Sequence, residues 1–173
     1  AGVVHRDLKC SNIVLVPAAD GPRAVITDFG LAREQRSDPR GETWTETGGV
    51  LGTPAYMSPE QVEGKAANDR SDLYPLGVVL YEMTTGRMPF EGESPLSIAM
   101  KRVREEPTPI EQYRANLSPR WRGVVARLLA RDPAARLASA VEVAQALDGR
   151  APIVAAARPQ RWTERTRKPA ARL

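Results

Sequence analysis

Cysteine and histidine are almost missing from this chain: its 173 residues include one Cys, Cys10, and one His, His5. A lone cysteine closes no internal disulfide and builds no Cys-based zinc site, so nothing here asks for an oxidising compartment. With one imidazole and one thiol, a transition-metal site has too few ligands. Carboxylates remain, and those suit Mg²⁺. Aromatic residues make up 5% and no run of about 18 apolar residues occurs, so no transmembrane helix is written in the chain. The opening Ala1-Gly2-Val3-Val4 has neither the basic start nor the long apolar stretch of a signal peptide. It also lacks an initiator Met, which fits a fragment. The expected location is cytoplasmic.

What is present suffices for one domain, or for one large lobe and a tail. The hydrophobic share of 42% allows a real core, and the net charge is +4. That charge is unevenly placed. Residues 151–173 hold Arg158, Arg161, Arg165, Arg167, Lys168 and Arg172 against Glu164, a local +5 that leaves −1 for the rest. A basic character confined to the tail argues against nucleic acid as a partner of the domain. The tail is rich in Ala, Arg and Pro, and its composition predicts disorder over 150–173.

Periodicity organises the remainder. Ile13-Val14-Leu15-Val16 and Ala24-Val25-Ile26-Thr27 are apolar, β-branched runs separated by Asp20-Gly21, which predicts a hairpin. Its two outer ends would deliver Asn12 and Asp28 to one point. Residues 34–50 are polar and without period, the pattern of a loop. From Arg70 to Arg87, Leu73, Leu76, Val79, Leu80 and Met83 recur at helical spacing, with Ser71 or Asp72 to cap the start and Gly86 to end it. Pro75 is tolerable only in the first turn of that helix. Further helices are expected from Ser94 to Glu105, from Ser118-Pro119 until Asp132-Pro133, and from Ser139 to Leu147 before Gly149.

Three motifs follow one another along this frame: His5-Arg6-Asp7-Leu8-Lys9-Cys10-Ser11-Asn12, then Asp28-Phe29-Gly30, then Gly52-Thr53-Pro54-Ala55-Tyr56-Met57-Ser58-Pro59-Glu60. Each alone is weak, but the three in this order and spacing resemble the C-terminal lobe of a eukaryotic-like bacterial serine/threonine protein kinase. The resemblance covers 1–149 as a partial catalytic domain. It implies an α+β, kinase-like fold: a mainly helical large lobe with a small catalytic hairpin, and the small lobe missing.

It also implies roles. Asp7 would be the catalytic base. Lys9, two residues on, is the serine/threonine pattern and would neutralise the transferring phosphate. Asn12 and Asp28 would hold Mg²⁺, with Mn²⁺ as a substitute, for bound ATP. Val14 would floor the adenine. Phe29 would stack on His5, and Gly30 would permit the following turn. Thr53 would bridge Asp7 and Lys9 and seat a Ser or Thr acceptor, while Pro54 to Met57 would wall the residue after it. Arg6 beside the base implies activation by a phosphate on the loop. Thr43, Thr45 and Thr47 are acceptors there, and Thr45 and Thr47 match the paired autophosphorylation sites of bacterial kinases. Glu60 would pair with Arg136, and Asp72 would hold the catalytic-loop backbone.

Four departures stand out. Cys10 and Leu137 replace usual prolines, Ser58 a usual Ala, and Pro75 a usual Ser, none of them a catalytic group. The activity implied is ATP-dependent phosphorylation of protein Ser and Thr hydroxyls, with a kinase dimer for trans-autophosphorylation. The alternative is an inactive, truncated fragment that serves as a protein-binding module. Apolar surface belonging under the small lobe is expected to be exposed and to drive self-association.

Overall fold

A computed structural model describes residues 4, 5, 7–29 and 54–150. They form one two-stranded antiparallel sheet and five α-helices. Strands β1 (Ile13–Val16) and β2 (Arg23–Ile26) pair in the register Ile13↔Ile26, Val14↔Val25, Leu15↔Ala24 and Val16↔Arg23. The hairpin sits where the two apolar, β-branched runs predict it, with β2 displaced one residue towards the N-terminus. Just past the strand, the Thr27 amide still donates across to Asn12 O.

The helices are α1 (Pro59–Val62), α2 (Leu73–Thr85), α3 (Pro95–Arg104), α4 (Pro119–Leu128) and α5 (Ala140–Asp148). Their boundaries follow local chemistry. Ser94, Ser118 and Ser139 accept from the amides of Ser97, Trp121 and Glu142, satisfying donors left over in each first turn. Gly86 and Gly149 end α2 and α5 at φ of 70° and 85°, backbone that glycine adopts without steric cost. The four-residue α1 starts on Ser58-Pro59, too short to show a period in the sequence.

The expected helix from Arg70 to Arg87 proves to be two elements. A 3-10 turn, Asp69–Ser71, precedes α2, and Asp72 joins them in αR geometry. Asp72 stands at the cap position, yet its carboxylate makes no capping bond, because it is turned to the backbone of His5. Pro75 falls in the first turn of α2, where its missing N–H costs no helical bond.

Helix α2 is the axle of the core. Tyr74, Val78, Val79 and Tyr81 are buried, and α2 packs on Val124, Val125 and Leu128 of α4, with Leu137 and Val143 closing the far side. The crossing depends on Gly77: a Cβ there would lie 2.7 Å from Leu128 Cβ. Met83, expected inside, is 71% exposed at the C-terminal end of α2. Among the described residues no helix is long and apolar enough to cross a membrane.

Candidate active site

A 3-10 turn, Cys10–Asn12, leads directly into β1. Across the mouth of the hairpin, the Thr27 amide donates to Asn12 O at 2.9 Å and the Thr27 hydroxyl to the same oxygen at 3.3 Å. Asn12 and Asp28 therefore sit at the two outer ends of one small sheet. Asn12 is buried, and its amide nitrogen donates to Asp7 O at 2.9 Å, which leaves the side-chain oxygen as its acceptor end. Asp28 takes φ of 62°, a left-handed conformation that Asp tolerates better than most residues. Strain of this kind persists where surrounding structure dictates it.

His5 is the hub. Its backbone N–H donates to Asp72 Oδ2 at 2.5 Å, tying the loop to the start of α2. Its Nε2 lies 2.9 Å from Thr27 O, which can only accept, and its Nδ1 receives the Asp7 N–H at 3.3 Å. These partners place the ring proton on Nε2. The ring also meets Phe29, with centroids 4.6 Å apart and planes at 54°, a tilted arrangement favoured by ring quadrupoles. One buried imidazole thus connects Asp7, the strand before Asp28, and the residue after it.

Lys9 Nζ stands 2.8 Å from Asp7 Oδ2, and the two side chains are 24% and 30% exposed. A cation and a carboxylate share one patch that a substrate can reach. Nearby, Glu82 Oε2 on α2 accepts from the Tyr56 hydroxyl at 2.6 Å and from the Cys10 thiol at 3.1 Å. Burial, then the bond to Glu82, pushes the Cys10 thiol up, away from the thiolate that a reactive cysteine needs. Burial and the same carboxylate push Tyr56 well above the ordinary phenol range.

Two buried arginines brace the segment from Pro54 to Glu60. Arg136 grips Glu60 with a two-pronged pair, 2.7 Å to each oxygen, and donates to the carbonyls of Ala130, Arg70 and Arg131 at 2.8, 2.8 and 3.1 Å. Burial alone would raise Glu60, but the guanidinium's hydrogen bonds and charge prevail and hold its carboxyl below the usual range. Arg102, from α3, donates to the carbonyls of Pro54 and Ala55.

The structure thus brings His5, Asp7, Lys9, Asn12, Asp28, Phe29 and Asp72 around one hairpin mouth, and it pairs Glu60 with Arg136, the pair that the resemblance implies. Val14, on β1, is 45% exposed. Arg6, Gly30, Thr43, Thr45, Thr47 and Thr53 lie outside the described residues, as does the tail from 151. Sequence reasoning missed Thr27, Glu82 and Arg102. Two of these were findable: Glu82 is an acid inside a largely apolar helix, and Arg102 falls on the face of Ile98 and Ala99.

Among the described residues no cluster of three His, Cys, Asp or Glu could hold a metal unaided. Asn12 and Asp28 do fit Mg²⁺, which binds through one or two protein oxygens and takes the rest from water and phosphate.

The description "protein kinase domain" matches residues 1–147. The chain is 45% identical to the probable serine/threonine-protein kinase CE0033 of Corynebacterium efficiens, over 86% of this chain and 22% of that protein. It is 46% identical to the serine/threonine-protein kinase pkn3 of Myxococcus xanthus, over 81% of this chain and 26% of that protein. With the serine/threonine-protein kinase PknB of Mycobacterium tuberculosis it shares 42% identity, over 82% and 22% of the two chains. The chain belongs to the protein kinase family, among sequences of the bacterial serine/threonine type. It spans about a quarter of the length of these curated relatives. Members of this family generally use ATP and Mg²⁺.

Proposed function

We propose that this chain is the large, substrate-holding lobe of a kinase that phosphorylates Ser and Thr hydroxyls on proteins. The observation that carries the reading is the placement of Asp7. Its backbone is fixed by Asn12 and His5, and its carboxylate lies beside Lys9 at an accessible surface. Phosphoryl transfer asks chiefly for positioning and for charge neutralisation, and this frame supplies both.

In the proposed reaction the acceptor oxygen forms a bond to the terminal phosphorus of ATP as the bond to the ADP oxygen breaks. Asp7 orients the hydroxyl and takes its proton. Lys9 balances charge on the phosphoryl oxygens. Asn12 and Asp28 would hold Mg²⁺, which would supply charge neutralisation at the phosphates. The hairpin leaves apolar side chains uncovered on both of its faces, Val14 on one and Leu15 and Ile26 on the other, with Phe29 just past β2; these four are 45, 67, 40 and 55% exposed. The Val14 face suits an adenine, and the apolar surface as a whole suits the small lobe that would cover it; left uncovered it would promote self-association. Thr53 seats the acceptor, and Pro54 to Met57 wall the residue after it. Thr45 and Thr47 are the activation-loop acceptors, phosphorylated within a kinase dimer and read by Arg6. ATP places this chemistry in the cytoplasm.

The test is transfer of radiolabel from ATP with Mg²⁺, comparing this chain with Asp28→Asn. Label on Thr45 or Thr47 that disappears in the variant is the expected result. No label on the parent chain would overturn the reading for the lobe alone, and would favour a protein-binding module.

A further inference from the structure

The most unusual charge in the molecule is Arg102. Its side chain comes from the last turn of α3 and the residue is 1% exposed, as deep as Arg136. The two arginines solve burial differently. Arg136 meets a carboxylate. Arg102 meets backbone: its terminal nitrogens donate to Pro54 O and Ala55 O, its guanidinium lies 5.8 Å from the centre of the Phe90 ring, and its Nε has no acceptor. Among the described residues no carboxylate pairs with it. Burial pulls its pKa down, with Tyr74 the neighbour that acts against burial. A fixed cation is costly to bury without an anion, so it persists only where its hydrogen bonds hold something in place.

What it holds is the stretch proposed above as the wall beside the residue after the acceptor, and the inference rests on that reading. The stretch is gripped from two sides: Arg102 takes the carbonyls of Pro54 and Ala55, and Glu82 takes the hydroxyl of Tyr56. With both carbonyls turned inward to a guanidinium, the backbone partial negative charges there are spent on Arg102 rather than offered to a peptide.

We infer that Arg102 is a positioning and specificity-determining residue: it fixes the wall and places an uncompensated positive charge behind it. The substrate class that fits carries a neutral or acidic residue directly after the phosphorylated Ser or Thr. Lysine or arginine at that place is disfavoured, by roughly threefold to tenfold in affinity for a charge screened by one layer of protein.

Two measurements on this chain test it, and neither needs catalysis. The first is amide hydrogen exchange of the stretch 55–61 in the parent chain, Arg102→Met and Arg102→Lys. Local exchange should speed roughly tenfold in Arg102→Met, the effect of losing charged hydrogen bonds, while α2 and α4 remain protected. The second is fluorescence anisotropy with labelled Ser-containing peptides that differ only in the following residue, Glu, Ala or Lys. The parent should prefer Glu and Ala over Lys, Arg102→Met should lose the preference, and Arg102→Lys should retain it while exchanging faster. Retention by Arg102→Lys is what a purely structural role would not give, and Arg102→Lys also serves if Arg102→Met does not fold. Unchanged exchange in both variants would overturn the positioning role. A Glu-to-Lys ratio that does not depend on charge at 102 would overturn the specificity. The labelled-ATP assay judges the proposed activity separately, so an inactive lobe and a wrong inference give different results.

Discussion

Replacing Arg136 by Met should destabilise this fold strongly. The side chain is almost fully buried, donates to Glu60 and three backbone carbonyls, and lies 5.0 Å from the centre of the Tyr74 ring. Methionine fills much of the volume but leaves Glu60 as a buried, unpaired carboxylate. Breaking one partner of a buried ion pair costs about 3–5 kcal/mol. For a domain of this size that lowers the melting temperature by roughly 10 °C.

The pH dependence makes the prediction sharper. In the parent chain Glu60 binds its proton less tightly when folded than at its ordinary value of 4.5. The pair therefore stabilises the fold above that range, and its contribution fades as pH falls through the folded value. In Arg136→Met only burial remains, which raises Glu60, so acidification neutralises the stranded charge and stabilises the variant relative to the parent. Urea unfolding followed by circular dichroism should show the gap between the two chains narrowing from pH 7 to pH 4. A loss below about 1 kcal/mol at pH 7, or a gap that does not change with pH, would refute the reasoning, since breaking a buried pair must cost more than this.

Two further changes probe the frame of the site and the core. Gly77→Ala should destabilise by about 1–3 kcal/mol in the same unfolding assay, because its Cβ meets Leu128 Cβ at 2.7 Å; helix propensity alone would favour Ala by up to about 1 kcal/mol, so a more stable variant would show that α2 and α4 can part. Asp72→Ala should cost about 1–3 kcal/mol by stranding the His5 amide, and Asp72→Asn, which keeps an acceptor, should recover most of it. Equal losses for the two Asp72 variants would mean that charge, not the hydrogen bond, matters there.

How much of this was legible in the sequence depends on the range of the interaction. Helix starts and stops were readable because Ser94, Ser118, Ser139, Gly86 and Gly149 act within a turn of themselves. The hairpin was readable because its β-branched runs and the turn between them are local signals, and with it the placement of Asn12 and Asp28 at its outer ends. The helix expected from Arg70 to Arg87 was not wholly so. Asp72 has the chemistry of a cap, and a sequence cannot say that its carboxylate is claimed by His5, 67 residues away. Nor does it say that the acid of Leu80-Tyr81-Glu82-Met83 takes Cys10 and Tyr56 from two distant segments, which turns a thiol beside the catalytic motif into a hydrogen-bond donor rather than a nucleophile.

Arg102 makes the same point with opposite sign. A basic residue on the apolar face of an amphipathic helix reads as a flaw in the pattern, to be absorbed by a long side chain reaching solvent. Here the chain reaches inward instead, because two backbone carbonyls of a distant loop need donors and α3 lies against them. Buried polar groups must be paired, so each charge placed against the hydrophobic pattern marks a partner that the pattern cannot name. In this molecule those misplaced charges, Glu60, Glu82, Arg102 and Arg136, all close on the single stretch from Pro54 to Glu60. Under the function proposed above, the motifs around Asp7 and Asp28 would supply the chemistry, and these four side chains would set the shape of the surface that chooses the substrate.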